Sequence, residues 1–417
     1  MAPSIQTRTF REVLALPGIR RLWLAQIVSV AGDFLAIFAV LGIASFRLHA
    51  TPAQVTGVTI SYMLPLAIFG PLAGVFVDRC HPRRAMMASD VARAVLVLLL
   101  LFPKPYLPAI YATLFAVSTF STFFIPAQSI LLRSLVPRDR LLSANAIMQQ
   151  ALLVIRMVSP ALAGALVARF GTASCFWFDT LSFLFSALML RGIVIPSSPR
   201  PLPKSRALLN DLTPGIRFIL AHSSIAFAIT AMTAATFAVS CFSPLLAVFV
   251  RDILQAGVRV FGWISASVGL GMIAGTRSVH RFAQRNPRSP RQLIVLSLGV
   301  MASGITLLAV SHSPAAAGVG VFTTGAGVGL LMVPAQTLIQ SETPLPMVGR
   351  VSSAVMSLIS AAQILGLALS GSLAAAIGLR PLFLSSAALL AGLAIRGLSR
   401  LSGDEPINAL DKLNTVN

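Results

Sequence analysis

Apolar runs of about 20 residues recur along the whole chain, each cut off by proline, glycine or a cluster of arginines. A bilayer core ~30 Å thick needs a helix of that length. The pattern therefore predicts membrane spans rather than the core of a soluble domain. Twelve runs can be placed, at residues 22–46, 54–77, 85–102, 106–131, 144–168, 173–192, 225–250, 258–279, 292–311, 314–339, 351–376 and 378–398. The third is short, and the fifth and eleventh hold enough glycine to be expected to kink. The longest polar interruption, from about Ile193 to Ser223, opens with IPSSPRPLPKSR and divides the chain near its midpoint. The expected organisation is a six-helix bundle over 1–192, a cytoplasmic linker over 193–223, a second bundle over 224–398 and a cytoplasmic tail over 399–417. Ahead of the first run, Phe10, Val13, Leu14 and Leu16 suit a short interfacial segment with these residues on the membrane side. The fold class is all-α integral membrane.

Composition agrees: 56% of residues are hydrophobic, 11% are charged and the mean hydropathy is +0.86, values that exclude an ordinary soluble domain. A net charge of +20 would suit a nucleic-acid binder, but the basic residues sit in short clusters between apolar runs. Clusters of that kind orient a membrane protein, because short cytoplasmic loops collect Lys and Arg. With the amino terminus inside, 24 of the 32 basic residues fall on the cytoplasmic side and six on the other, with Arg93 and Arg156 inside spans. That bias predicts an even number of spans and both termini in the cytoplasm.

Several chemistries are unsupported. Cys80, Cys175 and Cys241 form no C-x-x-C pair, and the five histidines have no metal-ligand spacing, so no metal or cofactor is expected. No H-E-x-x-H, G-x-S-x-G or G-x-x-x-x-G-K-[ST] motif occurs, which argues against a membrane-embedded enzyme such as an acyltransferase or peptidase and against direct ATP drive. The amino terminus lacks a small-residue cleavage site at signal-peptide distance.

One segment repeats. Ile125-Pro126-Ala127-Gln128-Ser129-Ile130 near the end of the fourth span returns as Val333-Pro334-Ala335-Gln336-Thr337-Leu338 near the end of the tenth, 208 residues on. Matching positions in matching span order point to a parallel duplication of six helices, with the solute path expected between the halves.

Four stretches carry a resemblance: FREVLALPGIRRLWLAQIVSVAGDF at the first span; Gly70-Pro71-Leu72-Ala73-Gly74-Val75-Phe76-Val77-Asp78-Arg79 with Arg83 and Arg84 after the second; Ser159-Pro160-Ala161-Leu162-Ala163-Gly164 in the fifth; and Arg350-Val351-Ser352 entering the eleventh. Together they resemble the major facilitator superfamily, and within it the macrolide-efflux-like branch of proposed drug–proton antiporters. The resemblance implies a fold of 12 helices in two pseudo-symmetric bundles and a bacterial inner-membrane location. It also implies export of hydrophobic or amphipathic small molecules by proton antiport with alternating access. A siderophore, lipid or metabolite exporter, or an uncoupled facilitator, keeps the same fold. The lipid bilayer, a small molecule and protons are the expected partners, with a monomer as the working unit.

The loop over Gly70, Gly74, Asp78, Arg79, Arg83 and Arg84 resembles the family's conformational latch. It departs from the pattern at His81-Pro82, where a glycine and a basic residue are usual. Pro160 and Gly164 resemble a hinge. No arginine precedes Arg133 in span four, which excludes coupling through the arginine that well-known relatives carry there.

Ionisable groups inside spans are costly and therefore point to function or to pairing. Asp33 lies midway along span one with Gln26 and Ser29 on its face, a candidate for proton coupling. Arg156 and Asp179 are expected to pair, as are Asp90 and Arg93 at i, i+3. By resemblance spans one, four, seven and ten line the cavity. They offer Gln26, Ser29, Ser118, Ser121, Thr122, Gln128, Thr230, Thr233, Phe237, Ser240, Thr323, Thr324 and Gln336 for substrate, although small polar residues also serve as helix glue.

Overall fold

The computed structural model describes residues 12–77, 80–101, 106–137, 140–194, 217–285, 290–344 and 347–403. Among them twelve long helices follow one another and no strand occurs. In the first half these are α1 (Pro17–Gly42, continued by a π turn, Ile43–Arg47), α2 (Pro52–Val77), α3 (Pro82–Leu98, ending in a 3-10 turn, Leu99–Leu101), α4 (Leu107–Leu135), α5 (Leu141–Phe170) and α6 (Ala173–Arg191). In the second half they are α7 (Ser223–Phe242, resumed as Leu246–Asp252), α8 (Val258–Arg285), α9 (Pro290–Val310), α10 (Pro314–Glu342), α11 (Val348–Ile377) and α12 (Leu379–Gly403).

Proline opens α1, α2, α3, α9 and α10, where its missing N–H is one that the first turn leaves unbonded in any case. Gly171 and Gly378 follow α5 and α11 with φ of 81° and 90°, a conformation that side chains resist. These two stops lie 207 residues apart, and the prolines within α4 and α10, Pro126 and Pro334, lie 208 apart. The duplication seen in one hexapeptide thus extends to helix ends. The fifth and eleventh runs form single helices of 30 residues. A break falls in α7, at Ser243-Pro244, where proline cannot supply a helical N–H.

Ten of the helices are long and apolar enough to cross a membrane. The other two are α3, of 17 residues, and α5, of 30.

The chain divides into two compact units, Met1–Pro203 with Ala256–Ala266, and Lys204–Gln255 with Ser267–Asn417. In the first, α1 packs on α5 and α6, and α3 on α4 and α6. In the second, α7 packs on α11 and α12, and α9 on α10 and α12, the same scheme six helices later. A core of Ile19, Leu22, Val77, Met86, Leu131, Ile147 and Leu190 ties the first unit together at one end. Val13 is fully buried in that core, and Leu14 and Leu16, partly buried, pack against it. Phe10 lies outside the described residues.

Candidate functional site

Three acids and one arginine meet inside the first unit. Gly32 precedes Asp33 on α1, and a Cβ there would collide with the Asp179 carboxylate and the Ser182 hydroxyl and stand 3.0 Å from the Asp179 Cα. Only glycine lets α6 come this close. On α6, Asp179, Ser182 and Ser186 are spaced three and seven apart and so share a face. On α3, Asp90 and Arg93 share a face by the same spacing.

Arg93 sits at the centre. Its Nη2 donates to Asp90 Oδ1, and its Nη1 lies 3.6 Å from Asp33 Oδ2 and donates to Ser121 Oγ on α4 at 3.2 Å. The guanidinium lies 4.2 Å from the Phe183 ring centroid and 5.1 Å from that of Phe124. Ser186 donates to the other Asp90 oxygen at 2.6 Å. The Tyr62 hydroxyl from α2 hydrogen-bonds to Asp33. Ser182 donates to the Asp179 backbone carbonyl at 2.7 Å, and its Oγ stands 3.4 Å from Asp179 Oδ1.

Access is uneven. The Asp90 and Arg93 side chains are 0% and 3% exposed, whereas Asp33 is 18% exposed. Asp90 is therefore sealed against Arg93, and Asp33 is the most exposed of the three carboxylates. With three carboxyls and one guanidinium, full ionisation would leave two uncompensated charges in a desolvated site. Each such charge costs several kcal/mol, order of magnitude, so the site has a physical reason to hold protons.

The other candidate residues are distributed as follows. Arg83 Nη1 donates to the Ile193 carbonyl at 2.7 Å and Arg21 donates to Gly192, so two cations from α1 and α3 cap the carboxyl end of α6. Asp78 and Arg79 lie outside the described residues, and Arg84 is exposed in the first turn of α3. Among the described residues only Leu66 of the same helix, at 4.0 Å, lies near a Cβ placed on Gly70. The surroundings of Gly74 lie outside the described set. Tight small-residue contacts join α8 and α10: Gly271 and Gly275 of α8 meet the backbone of Phe322 and Ala326 on α10, and Gly325 and Gly329 of α10 meet Val268 and Met272. Gly164 faces the Gly262 carbonyl within the first unit, and helix α5 runs unbroken through Pro160. The side chain of Arg156 is outside the described set. What surrounds Asp179 is the Asp33–Arg93 group.

Of the substrate candidates, Gln128 donates to Gln26, joining α4 to α1. Ser29, Ser118 and Thr122 are buried, and Ser121 belongs to Arg93. Thr122, Thr230, Thr323 and Thr324 each donate to the carbonyl four residues back, at 2.7–2.9 Å. Their hydroxyl hydrogens are thus committed within their own helices. Thr233 Oγ1 is buried without a partner, Ser240 is buried, Phe237 is partly buried and Gln336 is exposed. Sequence reasoning missed Gly32, Tyr62, Ser182 and Ser186. The serines were legible as the face that Asp179 defines, whereas the contacts of Gly32 and Tyr62 depend on packing between helices.

A model of the Major Facilitator Superfamily matches residues 22–367 and, in a second match, 228–409. An uncharacterized MFS-type transporter, YfiS of Bacillus subtilis, is 29% identical over 387 residues, 89% of this chain and 90% of that protein. Macrolide efflux protein A of Streptococcus pyogenes is 24% identical over 342 residues, 80% of this chain and 83% of that one. Among solved structures, a bacterial homolog of the human lysosomal transporter Spinster in an inward-facing, unoccupied conformation superposes with a TM-score of 0.68 at 13% identity, covering 91% of this chain and 96% of that one. That likeness concerns the fold alone. With the family model spanning both units and the multi-pass helical fold agreeing, this chain is a membrane transporter belonging to the major facilitator superfamily.

Proposed function

We propose that the protein exports hydrophobic or amphipathic small molecules by proton antiport, with Asp33 as the coupling residue. The single observation that carries this reading is the pairing of the partly exposed Asp33 with Arg93, a cation already neutralised by Asp90. A carboxyl in that position is stable protonated, and it is stable ionised when Arg93 turns toward it. Either state is accessible at modest cost, which coupling requires. The buried cation comes from α3 and reaches α4 through Ser121, so the absence of an arginine before Arg133 in α4 leaves the centre with its positive charge. Similarity to a macrolide efflux protein supports a bulky, weakly polar cargo, and the lone accessible carboxylate favours cations among such compounds. Alternating access exposes Asp33 to each side in turn, the chain lies in a bacterial inner membrane with both termini inside, and no protein partner is obligatory.

The test is proton movement in proteoliposomes holding a pH gradient, for wild type and Asp33→Asn, across a panel of lipophilic cations and macrolides. Wild type is expected to release compound-dependent proton flux, and Asp33→Asn to lose at least about tenfold of it while still binding compound. Compound movement unchanged in Asp33→Asn, with no proton flux in either protein, would leave an uncoupled facilitator.

A further inference from the structure

We infer that Asp179 is a second proton-holding carboxyl of this site, neutral in the conformation described and exchanging its proton with Asp33. The inference rests on the antiport reading for its role in transport, but the protonation itself is argued from hydrogen-bond donors alone. A buried carboxylate needs donors, because no water supplies them. Asp90 has two, from Arg93 and Ser186, one on each oxygen. Asp33 has the Arg93 guanidinium, the Tyr62 hydroxyl and partial exposure.

Asp179, buried to 1% exposure, has neither kind of support among the described residues. Its one neighbouring hydroxyl, Ser182 Oγ, already gives its hydrogen to the Asp179 backbone carbonyl at 2.7 Å, which is the better distance. At 3.4 Å the separation of Oγ from Oδ1 exceeds that of an ordinary O–H···O bond, so Ser182 is no full donor to the carboxyl. Protonation removes the charge that lacks donors. The groups facing it from the packed helices are Asp33 on α1, Tyr62 on α2, and Asp90 and Arg93 on α3; among the described side chains α5 adds none, Arg156 being outside them.

A second observation shows that the cation has reserve. Arg93 Nε is buried without any hydrogen-bond partner, so the guanidinium is not fully committed to Asp90. It has a donor left for a charge that appears nearby. The exchange balances simply: the O–H bond of Asp179 breaks, an O–H bond forms on the Asp33 carboxylate, and the negative charge passes to Asp179 within the field of Arg93. Asp33 is then the port to solvent and Asp179 the store behind it. Gly32, which lets α1 and α6 approach closely, holds the two at neighbouring depth.

The experiment is infrared spectroscopy of the full-length protein in nanodiscs at neutral pH, before and after transfer to D2O, for wild type, Asp33→Asn and Asp179→Asn. A deuterium-sensitive carboxylic-acid C=O band is expected in wild type and in Asp33→Asn and is expected to vanish in Asp179→Asn. Asparagine reproduces a neutral acid closely, so Asp179→Asn should also keep the wild-type melting temperature. A band that survives Asp179→Asn unchanged, or no band in wild type, overturns the inference. If the band disappears in Asp179→Asn but compound-driven proton flux persists in Asp33→Asn, the store stands and Asp33 is not its port. That result separates failure of the antiport reading from failure of this one.

Discussion

At the scale of single residues, the site turns on what Arg93 neutralises. Removing one member of a buried ion pair leaves the other charged and desolvated, which costs about 3–5 kcal/mol, whereas replacing both members by neutral groups is often tolerated. Arg93→Met should therefore lower stability by that order in thermal unfolding in detergent, since Asp90 is completely buried and keeps only Ser186. Adding Asp90→Asn should recover most of the loss, because the orphaned charge disappears with it. A double variant as unstable as the single one would mean that Arg93 contributes by packing on Phe183 and Phe124 and not by charge. The Asp90–Arg93 contact was legible in the sequence because a three-residue spacing on one helix fixes its own geometry. The neighbourhood of Asp179 was not: a buried acid says that it needs company, but only the packing of α6 on α1 and α3 says whose.

At the scale of elements, glycine carries opposite meanings in different helices. Gly271 of α8 faces the Phe322 carbonyl, with the Ala326 nitrogen 2.9 Å from where a Cβ would stand, while nothing lies within 4 Å of that point at Gly299 on α9. The same substitution to alanine should then have opposite signs. Gly271→Ala forces α8 and α10 apart and should cost about 1–3 kcal/mol. Gly299→Ala meets no obstacle and should stabilise by about 0.5–1 kcal/mol through the helix preference of alanine. Melting temperatures of the two variants in one detergent check the contrast, and equal shifts would remove the claim that α8 and α10 meet backbone to backbone. Span number and order were readable because bilayer thickness sets helix length, and each of the twelve expected runs overlaps one helix. Helix interruptions were less readable. Glycine content suggested kinks in the fifth and eleventh spans and gave no sign of the interruption at Ser243-Pro244 in α7, and proline alone does not mark a break, since Pro126 and Pro334 lie within continuous helices.

At the scale of the whole molecule, a duplicated architecture carries unduplicated chemistry. Helix ends, internal prolines and packing order repeat between the halves, but the acids within the spans, Asp33, Asp90 and Asp179, all belong to the first. In the second half the carboxylates Asp252 and Glu342 stand at the ends of α7 and α10. Fold constraints act on both halves alike, whereas a charge in hydrocarbon is kept only where it has use or partners. The arginines follow a third rule, collecting at alternate helix ends, and this sets the expected orientation. It can be checked with one cysteine on each side. Cys175 and Cys241 are buried, so Cys80→Ser gives a quiet background. Gly257, between α7 and α8, has open space around it and accepts a cysteine without strain. In intact cells Gly257→Cys should react with a membrane-impermeant maleimide, and Lys412→Cys in the tail should react only after permeabilisation. The reverse result would place both termini outside. The proposed antiport would still run outward, because the proton gradient across the membrane, and not the side on which the termini lie, sets its direction.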